Sequence, residues 1–333
     1  MKAVLCRSFG PPEMLELADI PSPQPKAGEV TVRVEACGVN FPDLLAIENK
    51  YQFKPDLPFT PGGEVAGVID ALGPGVEGLK IGDRVMASTM WGGFAEEVVA
   101  DAGRVIRLKD GVDFAVGASL SFAYGTTLHA LKDRAALKAG ETLLVLGAAG
   151  GVGLAAVELG HAIGARVIAA ASTDDKLKIA REHGAHETLL YPRDPLSRDD
   201  QKALSEAIKE LTRGAGADVV YDPVGGDYSE PALRATAWEG RFLVIGFAAG
   251  PIPRIPLNLA LLKGCEIVGV FWGAWAERNP DRNRENIDTL MDWTLSDRIR
   301  PYVSASYSLA RAADALKAMA ARQVTGKIVV TPN

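Results

Sequence analysis

The stretch that decides the fold runs from Leu143 to Gly153 and reads LLVLGAAGGVG. Its first four residues are apolar without alternation, which is typical of a strand covered on both faces. Small residues follow, and the pattern from Gly151 to Ile163 is that of an apolar helix. A helix that begins after such a turn offers free N–H groups and the positive end of its dipole. The stretch therefore predicts a loop that binds the pyrophosphate of a dinucleotide.

The loop differs from the usual GxGxxG fingerprint, because Ala148 stands at the place of the first glycine. We expect Ala149, Gly150, Gly151 and Val152 to contact the pyrophosphate. The same small residues would also allow a helix to pack closely on a strand without any ligand. Dinucleotide binding is favoured because further strand and helix patterns surround the loop.

Apolar strand patterns alternate with amphipathic helix patterns in the middle of the chain. The predicted strands are 143–146, 166–171, 187–191, 217–221 and 241–245, and the predicted helices are 151–163, 174–183, 200–211 and 228–238. Repeated units of this kind imply an α/β fold with a doubly wound parallel sheet of the Rossmann type.

The N-terminal part of the chain has a different texture, with short β-like runs between Gly and Pro turns. These runs are 29–39, 65–72, 83–87 and 94–100. They predict a small, mostly antiparallel β domain. Toward the C-terminus, we expect strands at 265–271, 302–307 and 327–330 and helices at 283–295 and 310–321.

Composition excludes several classes of protein. The chain has 333 residues and a net charge of −6, with no basic cluster that would suggest a nucleic-acid groove. Its most apolar stretch, 142–157, contains four glycines and is too short to span a membrane. Cys6, Cys37 and Cys265 are far apart in sequence, so we expect no disulfide framework and a cytoplasmic location.

The end of the second predicted strand bears on the choice between NADH and NADPH. Proteins that prefer NAD usually carry an acidic residue there, which binds the ribose hydroxyl. Here Ser172 and Lys176 are present, and a hydroxyl and an ammonium suit a 2′-phosphate. Asp174 and Asp175 keep the alternative open, since either carboxylate could bind a ribose. The sequence favours NADPH.

Several segments resemble the quinone oxidoreductase and zeta-crystallin branch of the medium-chain dehydrogenase/reductase family. They are VNFPDLLAIENKYQ (39–52), PFTPGGEVAGVI (58–69), YGTTLHAL (124–131), GETLLVLGAAGGVG (140–153), REHGAHETLLY (181–191) and VVYDPVGG (219–226). The resemblance covers essentially the whole chain. Glu158, where the branch usually has Gln, and His161 depart from its signature on the helix after the loop.

The resemblance implies an architecture and an assembly. A Rossmann NADPH-binding domain at 124–263 would be inserted into a discontinuous GroES-like catalytic domain, at 1–123 and 264–333, with the cofactor in a cleft. The resemblance also implies a homodimer, in which strand 265–271 pairs with its copy and covers the edge of the sheet.

The resemblance further implies that the chain works without a metal. Related alcohol dehydrogenases bind zinc through a Cys in a GVC segment and a His in a GHE segment. Asn40 and Gly63 stand at these two places, and neither is a good zinc ligand. Without a Lewis acid, reduction of an electron-poor acceptor is favoured over alcohol oxidation.

The same resemblance assigns individual residues to the site. Asn40 would lie near the nicotinamide ribose and the acceptor, Tyr51 would orient the acceptor, and Asp43 would hold water or Tyr51. Each residue also has a structural alternative. Asn40 could cap the turn before Pro42, and Tyr51 could be a loop aromatic packed under the cleft. Asp43 could cap the next helix. The remaining implied cofactor contacts are Thr126, Tyr191, Val224, Phe247, Ala248, Phe271, Trp272, Gly273 and Arg322, with Lys327 as a weaker candidate for the 2′-phosphate.

The function that the resemblance implies is NADPH-dependent reduction of a quinone or a similar acceptor. Two alternatives stay open. One is a zinc-free reductase of enones or acyl thioesters, whose motifs overlap heavily, and the other is an NADPH-binding protein without turnover. No Ser-His-Asp or paired-carboxylate arrangement is apparent in the sequence, so a proton would come from solvent.

Overall fold

The computed structural model describes residues 1–332, which divide into two compact units. The first unit comprises residues 1–122, 287–296 and 301 onward, and the second comprises residues 123–286 and 297–300. No helix in residues 1–332 has both the length and the apolar character needed to cross a membrane.

The N-terminal part of the first unit consists of short strands and helices. In chain order they are β1 Lys2–Leu5, β2 Glu16–Asp19, β3 Glu29–Gly38, α1 Phe41–Ile47, β4 Glu64–Leu72, β5 Arg84–Ser88, β6 Glu97–Asp101, β7 Val105–Arg107 and α2 Phe114–Ser119. The long strand β3 buries Val30, Val32 and Val34, because alternate side chains of a strand point to the same face. It pairs antiparallel with both β4 and β6.

The second unit alternates strands and helices. In chain order they are α3 Thr126–Leu128, β8 Thr142–Leu146, α4 Gly151–Ile163, β9 Arg166–Ala171, α5 Asp174–Glu182, β10 Glu187–Leu190, α6 Arg198–Leu211, β11 Ala217–Asp222, α7 Ser229–Arg234, β12 Thr236–Val244, α8 Asn258–Lys263, β13 Glu266–Gly269 and α9 Trp272–Arg278.

The C-terminal part of the chain returns to the first unit at residue 287, apart from residues 297–300, which belong to the second unit. Its elements are α10 Pro280–Leu295, β14 Val303–Ser308, α11 Ala312–Ala320 and β15 Lys327–Thr331. The last strand, β15, lies antiparallel beside β3, with Val329 opposite Gly38. The strand order in this sheet is β14-β15-β3-β4-β5-β7, with β6 also on β3. This antiparallel register brings Lys327, the first residue of β15, next to the end of β3.

The second unit is built on a parallel sheet in the order β10-β9-β8-β11-β12-β13. Its central strand β8 is apolar on both faces, and Leu143 to Leu146 are all fully buried. This is what a strand between two helix layers requires. The predicted fold class is confirmed: a doubly wound parallel sheet of the Rossmann type accompanies a mostly antiparallel β unit.

The start of two helices follows from side-chain caps. Thr173 accepts a hydrogen bond from the Lys176 backbone N–H at the start of α5. Ser197 and Asp200 form a reciprocal capping box at the start of α6. Each cap satisfies N–H groups that the first turn of a helix leaves without partners.

The predicted helix at 228–238 is wrong in its second half. Helix α7 ends at Arg234, and Trp238 lies in β12. Thr236 pairs with Ala217 of β11, which starts the parallel ladder earlier than the apolar pattern suggested. The β-branched and aromatic side chains of Thr236 and Trp238 suit a strand better than a helix.

The predicted domain boundary at residue 264 differs from the division in the structure. Strand β13 hydrogen-bonds in parallel to β12, with Phe242 opposite Ile267. Residues 264–286 therefore lie in the second unit, because β13 continues its sheet.

Candidate active site

The predicted cofactor-binding residues of the second unit, except Thr126, follow the carboxyl ends of its strands. In the order β8, β9, β10, β11, β12 and β13 they are Ala149 to Val152, Ser172 with Lys176, Tyr191, Val224, Phe247 with Ala248, and Phe271 to Gly273. Since the strands are parallel, these ends share one edge of the sheet. This edge is where doubly wound sheets bind ligands.

The loop between β8 and α4 is shaped to let a ligand approach its backbone. Gly147 has a φ of +59°, a left-handed conformation that favours glycine. A Cβ on Gly153 would lie 2.1 Å from the Gly147 carbonyl oxygen, so the helix can pack on the loop only with glycine there. Helix α4 begins at Gly151 with no side-chain cap among the described residues. Its first N–H groups and its dipole suit a pyrophosphate, so the residues present fit a dinucleotide.

Two of the predicted residues support this loop directly. The Tyr191 hydroxyl accepts a hydrogen bond from the Gly147 N–H at 3.1 Å. Val224 also lies beside Gly147, since a Cβ there would be 2.9 Å from the Val224 Cγ2. Tyr191 and Val224 therefore hold the first glycine of the loop from two sides.

Asp222, which sequence reasoning did not select, shapes the turn after β11. One carboxylate oxygen accepts from the N–H groups of Val224 and Gly225, both at 2.9 Å, and the other accepts from the Ser229 hydroxyl at 2.5 Å. Burial raises the pKa of this carboxyl group, and these three donors oppose the rise. The segment VVYDPVGG contained the signal, because an aspartate before Pro-Val-Gly-Gly is typical of a turn.

The segment with Thr126 is tied to the loop through its neighbour. Thr127 is fully buried, and its hydroxyl lies 2.8 Å from the Tyr221 hydroxyl. The same hydroxyl oxygen lies 2.7 Å from the Ala123 carbonyl oxygen and 3.3 Å from the Val152 carbonyl oxygen. Thr126 itself is partly exposed at the start of α3. Thr127 thus has the structural role, and Thr126 keeps a side chain that a ligand can reach.

The residues expected at the 2′-phosphate lie at the start of α5. Ser172 and Lys176 are both partly exposed, and the Lys176 backbone N–H is the group that Thr173 caps. Asp174 and Asp175 are exposed in the same first turn. A hydroxyl, an ammonium and two carboxylates therefore share this helix start.

The segment after β13 begins helix α9. Trp272 is buried, donates through Nε1 to the Asn283 Oδ1 at 3.1 Å, and lies against Gly125. Phe271 is exposed, and so is Gly273. Phe247 and Ala248, after β12, are also exposed. The exposed members of this set can contact a ligand, whereas the Trp272 ring is already packed.

The first unit contains a buried polar cluster around Asn40, which we call the Asn40 cluster: Asn40, Asp43, Glu64 and Lys327. Asn40 lies between the end of β3 and the start of α1, and each member is at most 9% exposed. Lys327 Nζ donates to the Asn40 Oδ1 at 2.6 Å and to the Glu64 Oε2 at 3.0 Å. The expectation that Lys327 reaches a 2′-phosphate is wrong, because its ammonium is buried among these groups.

Asp43 acts as a cap within the cluster. Its Oδ2 accepts from the Asn40 backbone N–H at 2.7 Å, and its Oδ1 accepts from the Gly62 N–H at 3.1 Å. Burial raises the pKa of Asp43 to about 7, against the opposing effect of these N–H donors and of Lys327. The alternative interpretation of Asp43 as a helix cap thus has direct support.

Tyr51 and Arg322 are the remaining predicted residues of the first unit. Tyr51 is partly exposed, and its ring meets the Phe53 ring edge-on at 5.8 Å. Burial, and to a lesser degree the charge of Asp43, raises the pKa of the Tyr51 hydroxyl. Arg322 is exposed just after α11. The structure places Tyr51 within electrostatic reach of Asp43 and leaves the role of Arg322 a prediction.

The two positions that bind zinc in related alcohol dehydrogenases are filled differently here. A Cβ on Gly63 would lie 2.7 Å from the Met90 carbonyl oxygen, so a histidine would not fit without movement of the backbone. Cys37 is a fully buried residue of β3, and burial raises the pKa of its thiol well above the usual value. Within residues 1–332 we find no group of three potential His, Cys, Asp or Glu metal ligands.

Glu158, which the sequence showed only as a departure from the branch's signature, makes buried contacts in the structure. The Glu158 carboxylate on α4 accepts from the Tyr124 hydroxyl at 2.8 Å, and its other oxygen lies 2.5 Å from the His183 Nδ1. This contact links α4 to the end of α5. The departure from Gln at position 158 was the available signal, since a buried carboxylate needs a partner.

A GroES-like unit and a Rossmann unit with a glycine-rich loop define the class of two-domain pyridine-nucleotide dehydrogenases. Residues 26–110 match the alcohol dehydrogenase GroES-like domain family, and residues 151–293 match the zinc-binding dehydrogenase family. The chain belongs to the medium-chain dehydrogenase/reductase family, in its quinone oxidoreductase branch.

Known relatives match the chain over nearly its full length. A quinone oxidoreductase-like protein 2 homolog of Nematostella vectensis is 38% identical, over 99% of this chain and 88% of the relative. The quinone oxidoreductase of Pseudomonas aeruginosa is 34% identical, over 99% of both. The structure of Escherichia coli quinone oxidoreductase complexed with NADPH matches with a TM-score of 0.90 and 27% identity, over 100% of both chains.

Proposed function

We propose that the protein is an NADPH-dependent reductase that passes a hydride to a quinone or a similar electron-poor acceptor without a metal. The observation that carries the proposal is the glycine-rich loop, with its φ of +59° at Gly147 and its uncapped helix α4. Relatives with 34% and 38% identity are named quinone oxidoreductases or quinone oxidoreductase-like proteins, which supports the choice of acceptor.

The chain's own residues suit the binding of such a cofactor. The N–H groups of Gly150, Gly151 and Val152 would hold the pyrophosphate, and Ser172 with Lys176 would hold the 2′-phosphate. NADPH, when bound, supplies the hydride. The complex of the Escherichia coli relative with NADPH supports this choice over NADH.

The acceptor side of the proposal rests on the Asn40 cluster and Tyr51. The cluster brings together a buried ammonium, two carboxyl groups and an amide. Residues 1–332 contain no group of three or more His, Cys, Asp or Glu side chains that could hold a metal ion. Asn40 would lie near the nicotinamide ribose and the acceptor, and Tyr51 would orient the acceptor. Asp43 would keep the segment after β3 in place. The proton that completes the reduction of a quinone would come from solvent.

The proposal is tested by measuring NADPH oxidation in parallel with a panel of quinones, enones and aldehydes. We expect saturable turnover of quinones and none of aldehydes. Saturable enone turnover without quinone turnover would instead identify an enone reductase. Tight NADPH binding with no turnover of any acceptor would identify a binding protein.

We also propose a homodimer that forms through β13, and a cytoplasmic location. Strand β13 is the edge of the parallel sheet, and large apolar side chains near it are exposed: Trp238, Leu257, Leu261, Leu262, Ile267 and Phe271. Edge strands with exposed apolar neighbours favour pairing with another chain. The three cysteines are buried and unpaired, which suits a reducing compartment.

A further inference from the structure

Lys327 and Glu64 form a buried ion pair that the proposed reaction does not itself require. Their side chains are 4% and 1% exposed, and the Lys327 Nζ lies 3.0 Å from the Glu64 Oε2. Removing two charges from water costs free energy that their attraction regains only in part, so buried pairs often add little to stability. A role in positioning a neighbour explains the pair better than a role in stability.

The ammonium of Lys327 is completely satisfied within the protein. It has three hydrogens and no lone pair, and it donates to Glu64, to the Asn40 Oδ1 at 2.6 Å and to the Val39 carbonyl at 3.3 Å. No hydrogen of Lys327 is left for a ligand. Lys327 can therefore influence the hydrogen bonding of a ligand only through Asn40.

These contacts determine the orientation of the Asn40 amide by chemistry alone. An ammonium can only donate, so the Asn40 atom 2.6 Å from it must be the oxygen. A carboxylate can only accept, so the Asn40 atom 2.9 Å from the Glu64 Oε2 must be the nitrogen. The reversed amide would place two donors together and two acceptors together.

Both hydrogens of the Asn40 amide are also used. The Nδ2 atom donates to Glu64 at 2.9 Å and to the Gly38 carbonyl at 3.3 Å. The Oδ1 atom accepts one bond from Lys327 and has a second lone pair. A ligand that hydrogen-bonds to the Asn40 side chain would therefore meet an acceptor and no donor.

Glu64 is the fixed point of the arrangement. Its Oε1 accepts from the Ser121 hydroxyl at 3.0 Å and from the Phe122 backbone N–H at 2.8 Å. Since β4 and the start of the 120–125 segment hold these groups, Glu64 cannot turn to follow Asn40. The Ser121 hydroxyl and the Phe122 N–H thus fix Glu64. Glu64 holds Lys327, and both of them fix the Asn40 amide.

We propose that Lys327, anchored on Glu64, is the positioning residue that makes Asn40 a pure hydrogen-bond acceptor, which selects a hydroxyl or N–H donor on the ligand. The proposal rests on the proposed function for its ligand. The donor is either a hydroxyl or amide N–H of the nicotinamide nucleoside, or the hydroxyl that forms on the acceptor as it is reduced. Asn40 then does not polarise the acceptor carbonyl, because it has no hydrogen to donate.

The main test is the double variant Lys327→Met/Glu64→Gln, which removes both charges of the ion pair together. Asp43, the other carboxyl group of the cluster, keeps its two backbone N–H donors. The Gln amide would keep its oxygen on Ser121 and Phe122 and present its nitrogen to Asn40. The Asn40 amide would then turn over and present N–H groups to the ligand. Lys327→Arg keeps the cation, and Lys263→Met, which removes a lysine bonded to the Thr236 carbonyl in the second unit, is the matched control.

The first readout requires no turnover. In the full chain labelled with ¹⁵N-asparagine, with Asn40→Ala used for assignment, we expect slow hydrogen exchange of the Asn40 side-chain amide. The double variant should make exchange fast, and Lys327→Arg and Lys263→Met should leave it slow. Fast exchange in the unmodified protein would overturn the proposal even if the double variant failed to fold.

The second readout is binding and turnover, with NADPH and p-benzoquinone as probes. Loss of one oriented hydrogen bond should cost about tenfold. If the double variant has a higher Kd for NADPH, the donor is on the cofactor. If it has a lower kcat at unchanged Kd, the donor is on the acceptor. A folded double variant with unchanged exchange, Kd and kcat would overturn the proposal. If the unmodified protein binds NADPH and reduces no acceptor, the proposed function is wrong. The hydrogen exchange of the Asn40 amide and the Kd for NADPH would still decide the present proposal.

Discussion

The Tyr191 hydroxyl lies 3.1 Å from the backbone nitrogen of Gly147, so the end of β10 holds the first glycine of the loop after β8. The Tyr191 ring also packs against Tyr228, with ring centroids 4.8 Å apart. The contact gives Tyr191 a role that does not depend on the 2′-phosphate.

Replacement Tyr191→Phe should therefore weaken the binding of NADPH and of NADH by the same factor. One hydrogen bond contributes about 1 kcal/mol, which corresponds to roughly fivefold in Kd. Fluorescence titration of both cofactors measures the effect, with Tyr307→Phe in the first unit as a control. A loss confined to NADPH would show that the hydroxyl acts on the phosphate instead.

Cofactor choice should depend on Lys176. Replacement Lys176→Glu removes a partner of the 2′-phosphate and adds a negative charge. The Kd for NADPH should therefore rise about tenfold or more, and the Kd for NADH should rise far less. The matched control is Lys178→Glu, which makes the same change at an exposed position on the same helix. Equal losses for both cofactors would refute the assignment of Lys176 and favour Asp174 or Asp175 as ribose partners.

Purified protein should contain far less than one zinc per chain. Asn40 is committed to Glu64 and Lys327, and a side chain at Gly63 would meet the Met90 carbonyl. Inductively coupled plasma mass spectrometry after growth with added zinc measures the content. Stoichiometric zinc that survives dialysis and is lost in Asn40→Ala would contradict the prediction.

Asp43 should make stability depend on pH. Its pKa in the folded protein is about 7 against an ordinary value of 3.8, so the folded chain keeps a proton that the unfolded chain releases. The stabilisation is complete below pH 4 and is lost as pH rises toward 7. For one proton the free energy of unfolding should fall by at most ~1.4 kcal/mol per pH unit.

Urea unfolding at several pH values, compared between the unmodified protein and Asp43→Asn, measures this slope. The Asn variant is expected to be less stable throughout, because its amide cannot accept from both backbone donors, so only the difference in slope is informative. Asp56→Asn, at an exposed position, serves as the control. Parallel curves for the unmodified protein and Asp43→Asn would show that Asp43 does not titrate in this range.

The proposed dimer should depend on the exposed edge strand β13. Ile267 is 39% exposed there, and Ile267→Lys should convert the dimer to a monomer by placing a charge in the interface. Light scattering after size-exclusion chromatography gives the mass. Ile81→Lys, at an isoleucine that is 66% exposed in the first unit, should leave the dimer intact. A monomeric unmodified protein, or a dimeric Ile267→Lys, would argue against pairing through β13.

Much of the second unit could be predicted because its signals are local. The run Leu143 to Leu146, the small residues after it and the helix to Ile163 lie side by side in sequence, and the structure reproduces these bounds within a residue. The end of α7 could not be predicted in this way. Whether Thr236 and Trp238 belong to a helix or a strand is decided by pairing with β11, which is distant in sequence.

The sequence by itself determined the parallel sheet and its loop, because hydrophobic period and glycine placement are properties of neighbouring residues. Only the tertiary structure decided the surroundings of Asn40. Lys327 is 287 residues away along the chain and reaches Asn40 because β15 pairs with β3 in a register that sets Val329 opposite Gly38. Strand pairing across such a separation leaves no local pattern, so a lysine that the sequence suggested for a phosphate proved to be the buried partner of Glu64.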